Sequence, residues 1–221
     1  MTTNNNLTDS ITDRTTGLLM NKSVVLPNAS GNGIKLNNTN PQFGWNDLLG
    51  PIVLRGGATN PTAAIFRGNF YAYQFAVNDE VMLTYHMPHD YVPGSDMYLH
   101  THWAHNSASV TTGAVTFSAD MTYAKGFNQA AFPASVNMTW TQNASTTQYQ
   151  HMVAEAQMSV AGGSASQLNS TNFEVDGLIL VRLTVSANTI STATNPFIFT
   201  ADIHYQSTGI TTKNKAPNFY S

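Results

Sequence analysis

From about residue 69 onward, apolar and polar positions alternate with the two-residue period of half-buried β-strands. Residues 114–123 show it most cleanly: Val115, Phe117, Ala119, Met121 and Tyr123 mark one face, and Thr116, Ser118, Asp120 and Thr122 the other. Residues 80–87 divide Val81, Leu83 and Tyr85 from Met82, Thr84 and His86. Residues 197–205 divide Phe197, Phe199, Ala201, Ile203 and Tyr205 from Ile198, Thr200, Asp202 and His204. The aromatic run 69–75 predicts a further strand. Residues 135–142 and 148–157 predict two strands joined as a hairpin by the turn-like Asn143-Ala-Ser-Thr. Residues 177–186 contain the apolar run Leu178-Ile-Leu-Val, which predicts burial on both faces, with Arg182 as an interruption.

Residues 93–106 predict the central strand. Met97, Leu99, Thr101 and Trp103 fall on one face, suited to a core, while Tyr98, His100, His102 and Ala104 fall on the other. Pro93-Gly94 supplies the preceding turn, because proline presets φ and glycine tolerates a positive φ.

The two ends of the chain differ from this. Residues 1–42 are rich in Asn and Thr, and too poor in apolar residues to offset their own ordering entropy. They predict an extended N-terminal arm whose anchor points are Leu18 and Leu19, then Val24 and Val25. Residues 43–54 fit either one helical turn or the start of a strand, and the glycines from Gly56 to Pro61 mark a loop. Residues 207–221 lack alternation and predict a C-terminal tail docked through Phe219 and Tyr220. About eight regularly spaced strands with no amphipathic helix give an all-β fold, a jelly-roll-like β-sandwich over residues 43–206.

Charged residues make up only 10% of the 221, with a net charge of −3, so no basic footprint for nucleic acid is present. Asn, Thr, Ser and Gln supply the polar surface instead, which suits a protein whose partners are proteins. With no cysteine, neither a disulfide nor a thiolate site is available. No apolar run approaches the roughly 20 residues of a membrane span, and the first residues lack a signal-peptide pattern. A soluble product made in the cytoplasm, with no membrane partner, is expected.

Two imidazoles at alternate positions of one strand can chelate one metal, since both leave the same face. The set Gly94, His100, His102 and Gly113 resembles the first metal motif of the cupins, although Asn106 and Ser107 stand where that pattern wants a glutamate. Glu155 and His204 are the residues that would complete such a set from other strands. The alternative reading, which we prefer at this point, makes His100 and His102 interior or interface histidines that hydrogen-bond Asp202, Tyr98 or backbone groups. No metal or other cofactor is then expected. Arg182, read as a buried guanidinium, calls for a carboxylate, with Asp202 or Glu155 as the expected partner. A glycosidase-like pair would have to be drawn from Asp90, Asp96, Asp120, Glu155, Glu174, Asp176 and Asp202. No Gly-x-Ser-x-Gly elbow, phosphate loop or His-Glu-x-x-His motif occurs.

Four stretches carry a second resemblance: Phe-Gly-Trp-Asn-Asp-Leu-Leu-Gly at 43–50, Val-Pro-Gly-Ser-Asp-Met-Tyr-Leu-His-Thr-His-Trp at 92–103, Met-Thr-Tyr-Ala-Lys-Gly at 121–126, and 202–220, which is the most specific. Together they resemble a family of tailed-bacteriophage virion proteins. The resemblance implies a non-enzymatic homotrimeric decoration or cement protein on the capsid surface, clamping neighbouring major-capsid subunits. A trimer suits such a task because capsomers meet at local three-fold positions. In the same setting a head-fibre, neck or tail-fibre attachment protein is the alternative. A cupin-like metal enzyme and a carbohydrate-binding module using exposed aromatics are the alternatives from other classes.

Overall fold

A computed structural model describes residues 11–14, 17–20, 43–57 and 59–219. The chain divides into two units, residues 1–39 and 40–221. In the first, β1 (Ile11–Arg14) and β2 (Gly17–Met20) pair antiparallel, Ile11 opposite Met20 and Arg14 opposite Gly17. Leu18 and Leu19 lie in β2, whereas Val24 and Val25 lie outside the described residues.

The second unit is a β-sandwich. Its strands are β3 (Gly44–Gly50), β4 (Val53–Leu54), β5 (Thr62–Arg67), β6 (Phe70–Gln74), β7 (Glu80–His86), β8 (Tyr98–Ala104), β9 (Ala114–Ala124), β10 (Val136–Asn143), β11 (Met152–Gln157), β12 (Ser159–Val160), β13 (Leu168–Asn169), β14 (Leu178–Asn188) and β15 (Phe197–Ser207). One sheet runs β10-β9-β14-β7-β4; the other runs β11-β8-β15 and then branches, β3 and the β5–β6 hairpin both pairing with β15. Counting β3, β7, β8, β9, β10, β11, β14 and β15 as first to eighth, the sheets read 5-4-7-2 and 6-3-8-1. That double Greek-key order is the jelly roll. The inner faces supply the core, with Leu83, Leu99, Trp103, Phe117, Met121, Val181 and Ile203 all fully buried or nearly so. Met97, Leu99, Thr101 and Trp103 face inward as expected, and the Trp103 ring meets Phe117 of the opposite sheet at 6.0 Å.

Several local expectations are corrected. β10 and β11 are not a hairpin: each edges a different sheet, β10 on β9 and β11 on β8, so the link between them crosses the sandwich. A turn signal between two alternating segments says that the chain reverses, and says nothing about which strand each segment pairs with. The side chain of Gln142 joins the two edges, its Nε2 donating to Val153 O at 2.8 Å. β14 is buried on one face only: Ile179, Val181, Leu183 and Val185 point in, while Leu180 and Arg182 are exposed. Arg182 therefore pairs across the outer face with Asp120 and, at 3.3 Å, with Glu80, and not with Asp202 or Glu155. Of the two alternatives for residues 43–54 the strand is the one found, as β3 and β4, and β5 occupies Thr62–Arg67, between the expected loop and the aromatic strand.

Beyond β15 the chain folds back on the loop before β8. Thr208 N donates to Asp90 O at 2.8 Å and Thr212 N to His89 O at 2.9 Å. Phe219 is buried, its ring 5.8 Å from His89 and 5.9 Å from Phe127. Tyr220 lies outside the described residues. Among the described residues no helix is long and apolar enough to cross a membrane.

Candidate functional site

The outer face of the second sheet carries the chemistry. Strand alternation that sends Leu99, Thr101 and Trp103 into the core sends Tyr98, His100 and His102 outward. The register then sets the neighbours: His100 lies opposite Glu155 of β11 on one side and Asp202 of β15 on the other. One row away, His204 lies opposite Tyr98 and Asp47. Four strands thus deliver His100, His102, His204, Asp47, Glu155 and Asp202 to one patch.

Asp202 is its centre. It projects from the solvent side of the sheet yet is only 2% exposed, lying beneath the imidazoles that approach it. Its Oδ1 is 2.7 Å from His102 Nε2 and its Oδ2 is 3.6 Å from His100 Nδ1. Despite the short distance, the His102 ring is poorly aligned for a hydrogen bond to Oδ1. Burial pushes the Asp202 carboxyl above its ordinary range, against the pull of His102 and His100.

The far nitrogens of both rings are held. His100 Nε2 meets Glu155 Oε2 at 2.7 Å, and His102 Nδ1 meets His151 Nε2 at 2.9 Å with the rings stacked 5.0 Å apart. His204 stands edge-on to His100 with ring centres 4.7 Å apart, and its Nε2 lies 3.6 Å from Asp47 Oδ1. Among the described residues, two sets have ligand-capable atoms mutually within 4.8 Å: His100, His102 and Asp202, and Asp47, His100 and His204. Trp45, about half exposed, leans on Tyr98 and His204 at ring distances of 5.5 and 5.2 Å.

Of the residues singled out beforehand, His100, His102, His204, Glu155 and Asp202 are brought together. Trp103 is in the core, Arg182 is on the other sheet and Phe219 is in the tail. Asp47 and His151 were not anticipated: Asp47 sits in a segment without alternation to place it, and His151, although within the strand expected over 148–157, was not read as a site residue. The glycines of the cupin-like motif have separate duties: Gly94 turns the chain at φ 78°, and Gly113 at φ 111° packs against the backbone of Thr189. Of the carboxylates considered for a hydrolytic pair, Glu155 and Asp202 flank His100, and others are engaged elsewhere. Asp90 accepts from Tyr205 and Ser207, Asp96 from Ser170 and Gln157, and Asp176 engages His86 and His89.

No family model matches the chain, and no curated protein matches it. Among solved structures, a xylan-binding module, CBM15, is 8% identical, with a TM-score of 0.31, over 78% of this chain and 95% of that one. A family 11 carbohydrate-binding module from Clostridium thermocellum, in complex with a β-1,3-1,4-mixed-linked tetrasaccharide, is 9% identical, with a TM-score of 0.31, over 78% and 94%. A CBM4 structure is 9% identical, with a TM-score of 0.17, over 78% and 89%. Likeness at this level assigns no ligand.

Proposed function

We propose that the protein is a non-enzymatic structural component of a tailed-phage particle, a homotrimer that attaches to the major capsid protein at the head surface and braces neighbouring subunits. The observation that carries this reading is the β5–β6 hairpin. Phe66 packs its ring on Tyr149, Phe197 and Phe199, while Ile65, Phe70 and Tyr71 are left 52%, 76% and 67% exposed. Large apolar side chains held outward on a two-stranded ribbon, on a chain with so little charge, suit a surface covered by another protein. The resemblance of residues 43–50, 92–103, 121–126 and 202–220 to virion proteins supplies the setting.

The test uses full-length protein and a Phe70→Ser/Tyr71→Ser double variant, added to phage heads that lack the protein. Sedimentation should report a trimer, and the variant should stay folded yet fail to occupy heads. Equal occupancy by both proteins, or binding only to purified tails, overturns the head-surface reading. Binding to tails alone would favour the attachment-protein alternative.

A second reading, glycan binding, is favoured by Trp45, whose half-exposed ring beside Tyr98 offers a flat apolar surface on an open sheet. Retardation by immobilised polysaccharides that disappears in Trp45→Ala would support it; no retardation would remove it.

A further inference from the structure

We propose that His100, His102 and Asp202 form a binding site for one divalent first-row transition-metal ion, with His100 Nδ1, His102 Nε2 and the Asp202 carboxylate as its protein ligands. Two imidazoles and one carboxylate on one side of an ion leave its remaining positions open, and this donor set suits Zn²⁺, Co²⁺ or Fe²⁺ better than the all-oxygen shells of Ca²⁺ or Mg²⁺.

Three features point to an ion rather than to a hydrogen-bonded cluster. The first is the manner in which His102 meets Asp202. A well-aligned hydrogen bond would aim the ring nitrogen at the oxygen, but Nε2 and Oδ1 stand 2.7 Å apart off that line. Two ligands about 2.1 Å from a common ion, and roughly 80–110° apart around it, are themselves about 2.7–3.4 Å apart, with the ring lone pair directed between them. The second is the support behind the ligands: metal-bound histidines almost always have the other ring nitrogen held by a further group. Glu155 holds His100 and His151 holds His102 in this way. The third is the burial of Asp202, a carboxylate lying beneath two imidazoles whose Oδ1 has only the off-line His102 contact. A dication supplies the compensating charge that the protein's own groups leave out.

The alternative set, Asp47, His100 and His204, shares His100. Its carboxylate is 59% exposed, and His204 Nε2 lies 3.6 Å from Asp47 with no comparable anchorage. The buried set is therefore preferred.

Untagged full-length protein, stripped with chelator, should be titrated with Zn²⁺ by calorimetry and with Co²⁺ by visible absorption. The expected result is one ion per chain, a Co²⁺ spectrum of nitrogen and oxygen ligation, and a higher melting temperature in the loaded state. Asp202→Asn and His102→Gln should each weaken binding by about 100-fold or more, since losing a ligand costs at least as much as losing a supporting group. His204→Ala should leave binding unchanged. Circular dichroism of the metal-free variants checks that they are folded. Absence of saturable binding near one ion per chain in the wild type overturns the proposal, as does full binding by folded Asp202→Asn. Loss of binding in His204→Ala with retention in His102→Gln also overturns it, by placing the ion on the Asp47 side.

Discussion

His102 and His151 lie in stacked contact, with Nδ1 of the first 2.9 Å from Nε2 of the second. One ring is fixed in a strand, the other is exposed just ahead of β11, and their contact sets the orientation of His102 towards Asp202. Replacing His151 by Ala should therefore lower Zn²⁺ affinity by about 10–100-fold, the usual effect of losing a supporting group. Stability of the metal-free protein should change by no more than about 0.5 kcal/mol, as for other surface substitutions. Calorimetric titration beside a denaturation curve checks both; unchanged affinity would leave His151 without a role at the site.

Asp202 bears the cost of a buried charge, and an amide of the same shape does not. Metal-free Asp202→Asn should melt at the same temperature as metal-free wild type or above it, with the order reversed once Zn²⁺ is added. Such an exchange of stability for binding is expected where a strained group is retained for a site. A large drop in the metal-free melting temperature would instead make Asp202 a structural anchor.

Glu80, 5% exposed, is gripped by Arg55 and Arg182, and the Arg55 hydrogen bond holds its carboxyl below its ordinary value of 4.5. A carboxyl whose value is depressed on folding contributes stability that is complete above the unfolded value and disappears as the pH falls through the folded one. Wild type should thus lose its advantage over Glu80→Gln below about pH 4.5 and keep it at pH 6–7. The neutral-pH loss should be smaller than the about 3–5 kcal/mol of a fully buried pair, because both guanidiniums are half exposed and can rehydrate. Urea denaturation at intervals from pH 3 to 7 measures the difference directly.

Gly113 has φ 111°, and a Cβ there would stand 2.2 Å from Thr189 O. Backbone strain and collision coincide, so Gly113→Ala should cost at least about 2–3 kcal/mol. Gly94, also at positive φ, faces open space, and Gly94→Ala should cost less. Comparing the two denaturation midpoints separates collision from strain.

Phe219 closes the tail on His89 and Phe127. Phe219→Ala should release the tail locally while leaving the sandwich's melting transition nearly in place, because the ring packs outside the inter-sheet core. Limited proteolysis should then cut after Ser207 in the variant and spare the wild type.

Much of this architecture is readable from alternation alone. β8 and β9 were placed by a period of two, and with them the outward direction of His100 and His102. Alternation assigns faces, though, and not partners. It could not separate β10 from β11 into different sheets, because pairing with β9 or β8 depends on contacts distant in sequence. Nor could it show that Leu180 and Arg182 face solvent, since an apolar run has the same composition whether one face or both are covered. β5, with Ala63-Ala64-Ile65-Phe66, has no polar alternate to reveal it, and its bulge at Phe66 breaks the period. At the site, His100, His102, Glu155, Asp202 and His204 carried a signal of type and spacing. Asp47 carried none, because only the register of β3 brings it there, whereas His151 shares the parity of Glu155 within the strand expected over 148–157 and its signal went unread.

In the ladder between β3 and β15, Gly44 is the cross-strand partner of Ser207. The chain thus enters the sandwich and leaves its last strand at one place on its rim. Tension applied between those two residues would open the β3–β15 seam like a zipper, one pair at a time from Gly44 and Ser207 inward. Tension between Ser207 and Ala104, at the opposite end of the β8–β15 ladder, would load that ladder in shear, which is far harder to part. If the segments before Gly44 and after Ser207 are both tied to one support, the sandwich hangs from a single corner, and a pull on that support reaches it without stretching its core.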